Sequence, residues 1–250
     1  MYQEIYDKLS VAYMSKKSLL EKSIFKYLVA AALAGFFVGV GSLIMSLTMM
    51  IFKDVSFPIV KLVNGFVFSL ALSYVMFAGG ELFTGIVLVM GFGKLTKKIN
   101  LSTVLKVFLF AYIGNFIGGI IISLLFSMTS VPADLKATIV EMGYSKVSYD
   151  FTSLVFKGIM CNILVCLAVL LCNRNISDAA KLILIFWCIL PFVALGFEHS
   201  VANMTYLTLA KIFDPNFTVG MMLHNLVPVT IGNIIGGLLV ALSYYIVGKE

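Results

Sequence analysis

Two short polar stretches interrupt otherwise apolar sequence, and both hold groups able to do chemistry. The first is Ala78-Gly79-Gly80-Glu81-Leu82-Phe83-Thr84-Gly85; the second is Gly196-Phe197-Glu198-His199-Ser200-Val201-Ala202-Asn203-Met204. An ionisable group inside a membrane is costly and points to function by default, and each stretch carries a glutamate. His199 can change charge near neutral pH, and Thr84 can donate or accept a hydrogen bond. Such groups suit a small anion, which loses its hydration in an apolar constriction at high cost. A weak-acid anion could also take up a proton there and cross as the neutral acid. Glu81 and Glu198 would repel an anion, so they are expected to tie down free backbone amides of the breaks. A lone histidine is most often a packing residue; His199 departs from that through its place beside Glu198. His224 reads as an interfacial histidine and Lys157 as a lysine snorkelling from a span's end.

The elements that must position these groups are membrane helices. Hydrophobic residues make up 61% of the 250 and charged residues 12%, against about 25% charged in a soluble domain. The mean hydropathy is +1.05. No nucleophile with a base, metal cluster or nucleotide loop is present, so neither enzyme chemistry nor a cofactor or metal is expected. Cys161, Cys166, Cys172 and Cys188 read as apolar packing residues. Apolar runs long enough to cross a bilayer, roughly 20 residues each, occupy about 24–51, 59–78, 103–128, 151–172, 182–197 and 222–247. The second and fifth are short, and each is followed by a break and a half-length piece, 82–92 and 201–213.

Basic residues favour the cytoplasm. With the N-terminus inside, twelve (among them Lys8, Lys16, Arg174 and Lys249) fall on inner segments and six (among them Lys53, Lys61, Lys146 and Lys157) on outer ones. Both termini are therefore expected in the cytoplasm, in a cell inner membrane. The formal charge of +6 follows from topology and anionic lipid and needs no nucleic acid. Residues 1–23 are expected to form an amphipathic cytoplasmic helix on the membrane surface, with Ile5, Leu9, Ala12 and Tyr13 at helical spacing. Residues 24–250 are expected to form one transmembrane channel domain.

Ile113-Gly114-Asn115-Phe116-Ile117-Gly118-Gly119 recurs, offset by 118 residues, as Ile231-Gly232-Asn233-Ile234-Ile235-Gly236-Gly237. Upstream, Gly79-Gly80-Glu81 answers Gly196-Phe197-Glu198 at an offset of 117. The first and fourth spans show no clear similarity. Three helices per half force the halves to point in opposite directions, which makes an all-α inverted repeat of three plus three. Such folds place the solute path near the midplane, between discontinuous helices. The half-helix starts would add positive dipole ends there. The glycines of the repeat read as close-packing positions.

The two breaks carry a further signal. Gly79-Gly80-Glu81-Leu82-Phe83-Thr84 and Gly196-Phe197-Glu198-His199-Ser200-Val201-Ala202-Asn203-Met204 resemble the two signatures of the formate/nitrite transporter family of microbial anion channels. The segments 158–168 and 225–233 match two further stretches of it, so the resemblance runs from about Phe25 to the C-terminus. It implies an aquaporin-like protomer with its own pore, assembled as a homopentamer in lipid. It also implies Thr84 and His199 facing each other at the pore centre, with Leu82 and Phe83 flanking Thr84 where the path narrows. Phe68, Leu72 and Phe192 would form apolar constrictions on either side. Lys146, sixteen residues before Asn162, falls at the family's outer lysine; with Asn162 and Glu198 it would attract the anion or support the centre. Solutes implied are small monovalent anions such as formate, nitrite and hydrosulfide, and Lys16, Leu82 and Thr84 incline towards the hydrosulfide branch. A proton-coupled secondary transporter would use the same residues. An aquaporin-type neutral-solute pore shares the fold, but its paired Asn-Pro-Ala boxes are absent here.

Overall fold

The computed structural model describes residues 2–55 and 57–248; Lys249 lies outside them. Its elements are α1 (Tyr2–Lys22), α2 (Ile24–Ile51), α3 (Phe57–Tyr74), a π-helical turn (Val75–Gly79), α4 (Phe83–Leu95), α5 (Leu101–Ser127), α6 (Ala133–Val147), α7 (Phe151–Cys172), α8 (Asp178–Ala194), α9 (Ser200–Phe213) and α10 (Val219–Gly248). The described residues form no strand. Segments 24–51, 59–79, 101–127, 151–172 and 219–248 are long and apolar enough to cross a membrane, so the chain is a multi-pass membrane protein. At 17 residues α8 falls short of that length by itself.

The long helices begin where a polar side chain can satisfy free amides. Ser23 accepts from Lys26 N, Asn100 from Thr103 N, Asp150 from Ser153 N and Ser177 from Ala180 N. They then pack in pairs through small residues. The α2–α5 contact runs over Gly35, Gly114 and Gly118, and the α7–α10 contact over Gly158, Gly232 and Gly236. A Cβ at Gly118 would collide with Ala32 O, and one at Gly232 with Val155 O. Without a hydrophobic drive between helices in lipid, such backbone approach is what holds them together. Overpacking costs about 1–3 kcal/mol, so Gly118→Val is expected to lower the melting temperature in detergent by on the order of 5–10 °C. Gly220→Val, on an exposed turn of α10, should leave it unchanged. A Gly118→Val protein melting with the native one would remove this account of the α2–α5 seam.

One expectation needs correction, and one helix was not foreseen. α1 does not present its apolar face to lipid: Ile5, Leu9, Tyr13 and Leu20 are buried, and the helix packs against α4 and α10. The segment 133–147, unassigned by the sequence, is a helix. Its buried Leu135 and Ile139 cluster with Leu209 of α9, and Gly143 approaches Ala210. The four cysteines are buried free thiols.

Candidate functional site

Each break turns on a glycine in the left-handed region, Gly79 at φ +85° and Gly196 at φ +71°, which L side chains rarely adopt. The chain then runs extended until α4 begins after Leu82 and α9 after His199. The freed backbone is fastened by a repeated device. Asn115 accepts from Phe83 N (2.8 Å) and donates to Ala31 O (2.8 Å) and Glu81 O (2.9 Å). Asn233 accepts from Ser200 N (2.9 Å) and donates to Gly158 O (2.8 Å) and Glu198 O (3.0 Å). Main-chain bonds complete each fastening, Glu81 N to Ala30 O (3.1 Å) and Glu198 N to Lys157 O (3.3 Å). The sequence reading assigned these asparagines no task. The available signal was that each is the one polar residue of its repeated motif, and a buried amide must find partners.

The two breaks meet at Thr84 and His199, whose Oγ1 and Nε2 lie 3.0 Å apart and are buried. Ala202 N donates to His199 Nδ1 (3.2 Å), so that nitrogen offers its lone pair. A neutral ring then carries its proton on Nε2, which donates to Thr84 Oγ1. The hydroxyl keeps a proton of its own to donate. Behind Thr84, its carbonyl accepts from Asn162 Nδ2 (3.2 Å), and Asn162 also donates to Asn233 O.

Four cavities strung end to end trace a line past His199, with Thr84 buried behind it and bordering none of them. On the α1 side lies one of about 380 Å³, walled by Lys8, Lys16, Leu72, Glu81 and Leu82. Leu72 and Leu82 also line a central cavity of about 10 Å³ with Phe68, Phe192 and His199. Phe68, Phe192 and His199 in turn border an 80 Å³ cavity with Lys146, Glu198, Asn203 and Tyr206. This one shares Lys146 and Glu198 with a vestibule of about 590 Å³ on the α6 side, where Lys53, Lys61 and Lys157 also stand. The Phe68 and Phe192 rings meet edge to face, 5.8 Å between centroids. Leu72 and Leu82 are 4% and 5% exposed, so the central cavity is walled mostly by buried apolar side chains. Val38, Ala71, Val165 and Ile189 complete the central wall; nothing in their type separates them from other apolar span residues.

Phe83 does not join this wall. Its ring packs edge-on against Phe108 and Tyr112 of α5, and it borders none of the four cavities. The first residue of α4 points back towards the helix it leans on, so that of Leu82 and Phe83 only Leu82 borders the cavities. The glutamates also differ from expectation. Lys16 of α1 donates to Glu81 (2.6 Å), and Lys146 of α6 donates to both oxygens of Glu198 (3.1 Å), which also accepts from Asn203. Each carboxylate is thus paired with a lysine brought in by a helix flanking the break. Paired, they repel an anion less than bare carboxylates would, and the lysines' pull is reduced in the same measure.

A profile described as formate/nitrite transporter matches residues 3–246. The nitrite transporter NirC of Escherichia coli is 36% identical over 214 residues, 84% of this chain and 78% of that protein. A probable formate transporter of Methanothermobacter thermautotrophicus is 30% identical, covering 94% and 92%. Among solved structures, an FNT family ion channel superposes with a TM-score of 0.89 at 31% identity, covering 97% of this chain and 98% of that one. A pentameric formate channel with formate bound gives 0.80 at 28% identity, covering 92% and 99%. A broken-helix site between two vestibules, together with family similarity over nearly the whole chain, makes this protein a member of the formate/nitrite transporter family, whose members are transporters and channels and not enzymes.

Proposed function

We propose that this chain conducts small monovalent weak-acid anions of the formate, nitrite and hydrosulfide class through the Thr84–His199 centre. The observation that carries the reading is the 3.0 Å contact between those side chains, bracketed by Phe68 and Phe192 on one side and Leu72 and Leu82 on the other. An anion squeezed between such walls sheds water, and there the two half-helix starts and the Thr84 hydroxyl offer donors in its place. Lys16, Leu82 and Thr84 incline the choice towards hydrosulfide.

The topology that goes with this is six spans in two inverted halves, α8 with its break and α9 making the fifth. Tyr112 and Thr230 support it: they hold equivalent repeat positions, 118 apart, and their hydroxyls touch at 3.0 Å. Such a meeting of equivalent residues is what a two-fold axis between the halves would bring about. Consistently, α4 packs on α10 as α9 packs on α5. Assembly is read as a homopentamer in a cell inner membrane, by likeness to the pentameric formate channel, with α1 and both termini cytoplasmic.

Proteoliposomes holding the native protein should take up formate, nitrite and hydrosulfide at rates far above empty vesicles, hydrosulfide fastest. Uptake of water or glycerol without any anion would replace this reading with a neutral-solute pore. Flux that halts unless a proton gradient is supplied would replace it with coupled transport.

A further inference from the structure

Among the described residues, the break before α9 has a restraint with no counterpart at the break before α4. Lys157 Nζ donates to Gly196 O at 2.9 Å, while the backbone carbonyl of the same residue accepts from Glu198 N. One residue of α7 therefore grips the chain on both sides of Phe197, immediately before His199. The ammonium lies 4.2 Å from the centre of the Tyr149 ring, and Tyr149 is itself held through its carbonyl by His224 Nε2 at 3.0 Å. The acceptor fits the donor: Gly196 closes α8, where helix carbonyls run out of intrahelical partners and carry the negative end of the dipole. In the other half the equivalent carbonyl belongs to Ala30, whose methyl group cannot reach Gly79, and a Cβ at Gly79 would meet only open space.

We infer that Lys157 is a positioning residue: its ammonium straps Gly196 to α7 and so fixes the direction from which His199 enters the path. A lysine in a vestibule has another evident use, to draw in anions, and the two roles separate in kinetics. A strap sets how well the centre passes what has arrived, so its loss lowers the maximal flux and leaves the half-saturating concentration in place. A recruiting charge does the reverse, and its effect fades with salt.

The decisive experiment pairs hydrogen exchange of the full-length protein in nanodiscs with hydrosulfide and formate flux, for native, Lys157→Met and Lys157→Arg. Met keeps the apolar stem and removes the donor; Arg restores a donor of similar reach that can also lie on Tyr149. For Lys157→Met, exchange across 195–199 should quicken about tenfold, with maximal flux falling several-fold at an unchanged half-saturating concentration. Lys157→Arg should recover both in part. Tyr149→Leu, which removes only the supporting ring, should show a weaker form of the same change. Native exchange in Lys157→Met would overturn the strap, as would a purely half-saturation effect. The flux arm rests on the anion-passage reading and the exchange arm does not. A native protein that passes no anion would therefore refute that reading, while exchange still decides the strap.

Discussion

His199→Asn is expected to leave the protein folded and melting close to the native temperature while anion flux falls about ten- to hundredfold. His199 has two tasks at its two nitrogens. Nδ1 caps α9 by accepting from Ala202 N, and Nε2 meets Thr84. Asparagine is among the best N-cap residues, so it keeps the first task, but its amide is too short to reach Thr84. His199→Ala removes both and should lose about 1 kcal/mol of stability as well. Thr84→Val should match the asparagine variant in flux, and combining the two should add little, since they break one contact. The measurement is hydrosulfide and formate flux in proteoliposomes beside thermal melting in detergent. Native flux in His199→Asn would remove the centre from the mechanism.

The largest loss of stability should come from Asn233→Leu. Leucine fills a similar volume but leaves Ser200 N and Glu198 O without their partner in a fully buried site, and takes a second donor from Gly158 O, which keeps its bond within α7. Each unsatisfied buried group costs about 1–3 kcal/mol, and two together reach the lower end of the about 5–15 kcal/mol that holds an ordinary protein folded. The expected result is loss of the monodisperse protein on size exclusion, with little material left to assay. Asn115→Leu should do the same, because it strands Phe83 N and Glu81 O. A well-folded Asn233→Leu protein would mean that water replaces the amide, and the breaks would then be less dry than the structure makes them.

Much of this was legible because membranes make sequence literal. Apolar runs can only be spans, and a Gly-Gly-Glu or Gly-Phe-Glu interruption can only be a break in one, so the two polar stretches and their likeness were open to reading. What escaped was whatever depends on direction. The order Leu82-Phe83-Thr84 does not say which neighbour of Thr84 faces the path; the α4 helix start does, and it turns Phe83 towards Tyr112. Distance in sequence hid the carboxylate partners: Lys16 is 65 residues from Glu81, and Lys146 is 52 from Glu198. Local reasoning therefore handed the glutamates to nearby amides. α6 was missed because a short helix with charges on it gives no span signal, though it delivers Lys146.

Apart from Asn162, which reaches across to Thr84 O, the fastenings of each break stay within one half of the chain. Lys16, Ala31 and Asn115 hold the first; Lys146, Gly158 and Asn233 hold the second. A chain emerging from the ribosome thus finishes the set for its first break 118 residues before Asn233 is made, and units complete in themselves can settle in order of synthesis. The Thr84–His199 contact, proposed above as the conducting centre, cannot, because Thr84 comes from the early unit and His199 from the late one. On that reading a nascent chain would be spared an open leak: its parts could be sealed into the bilayer one after the other, and conduction would begin only once the last helix had docked.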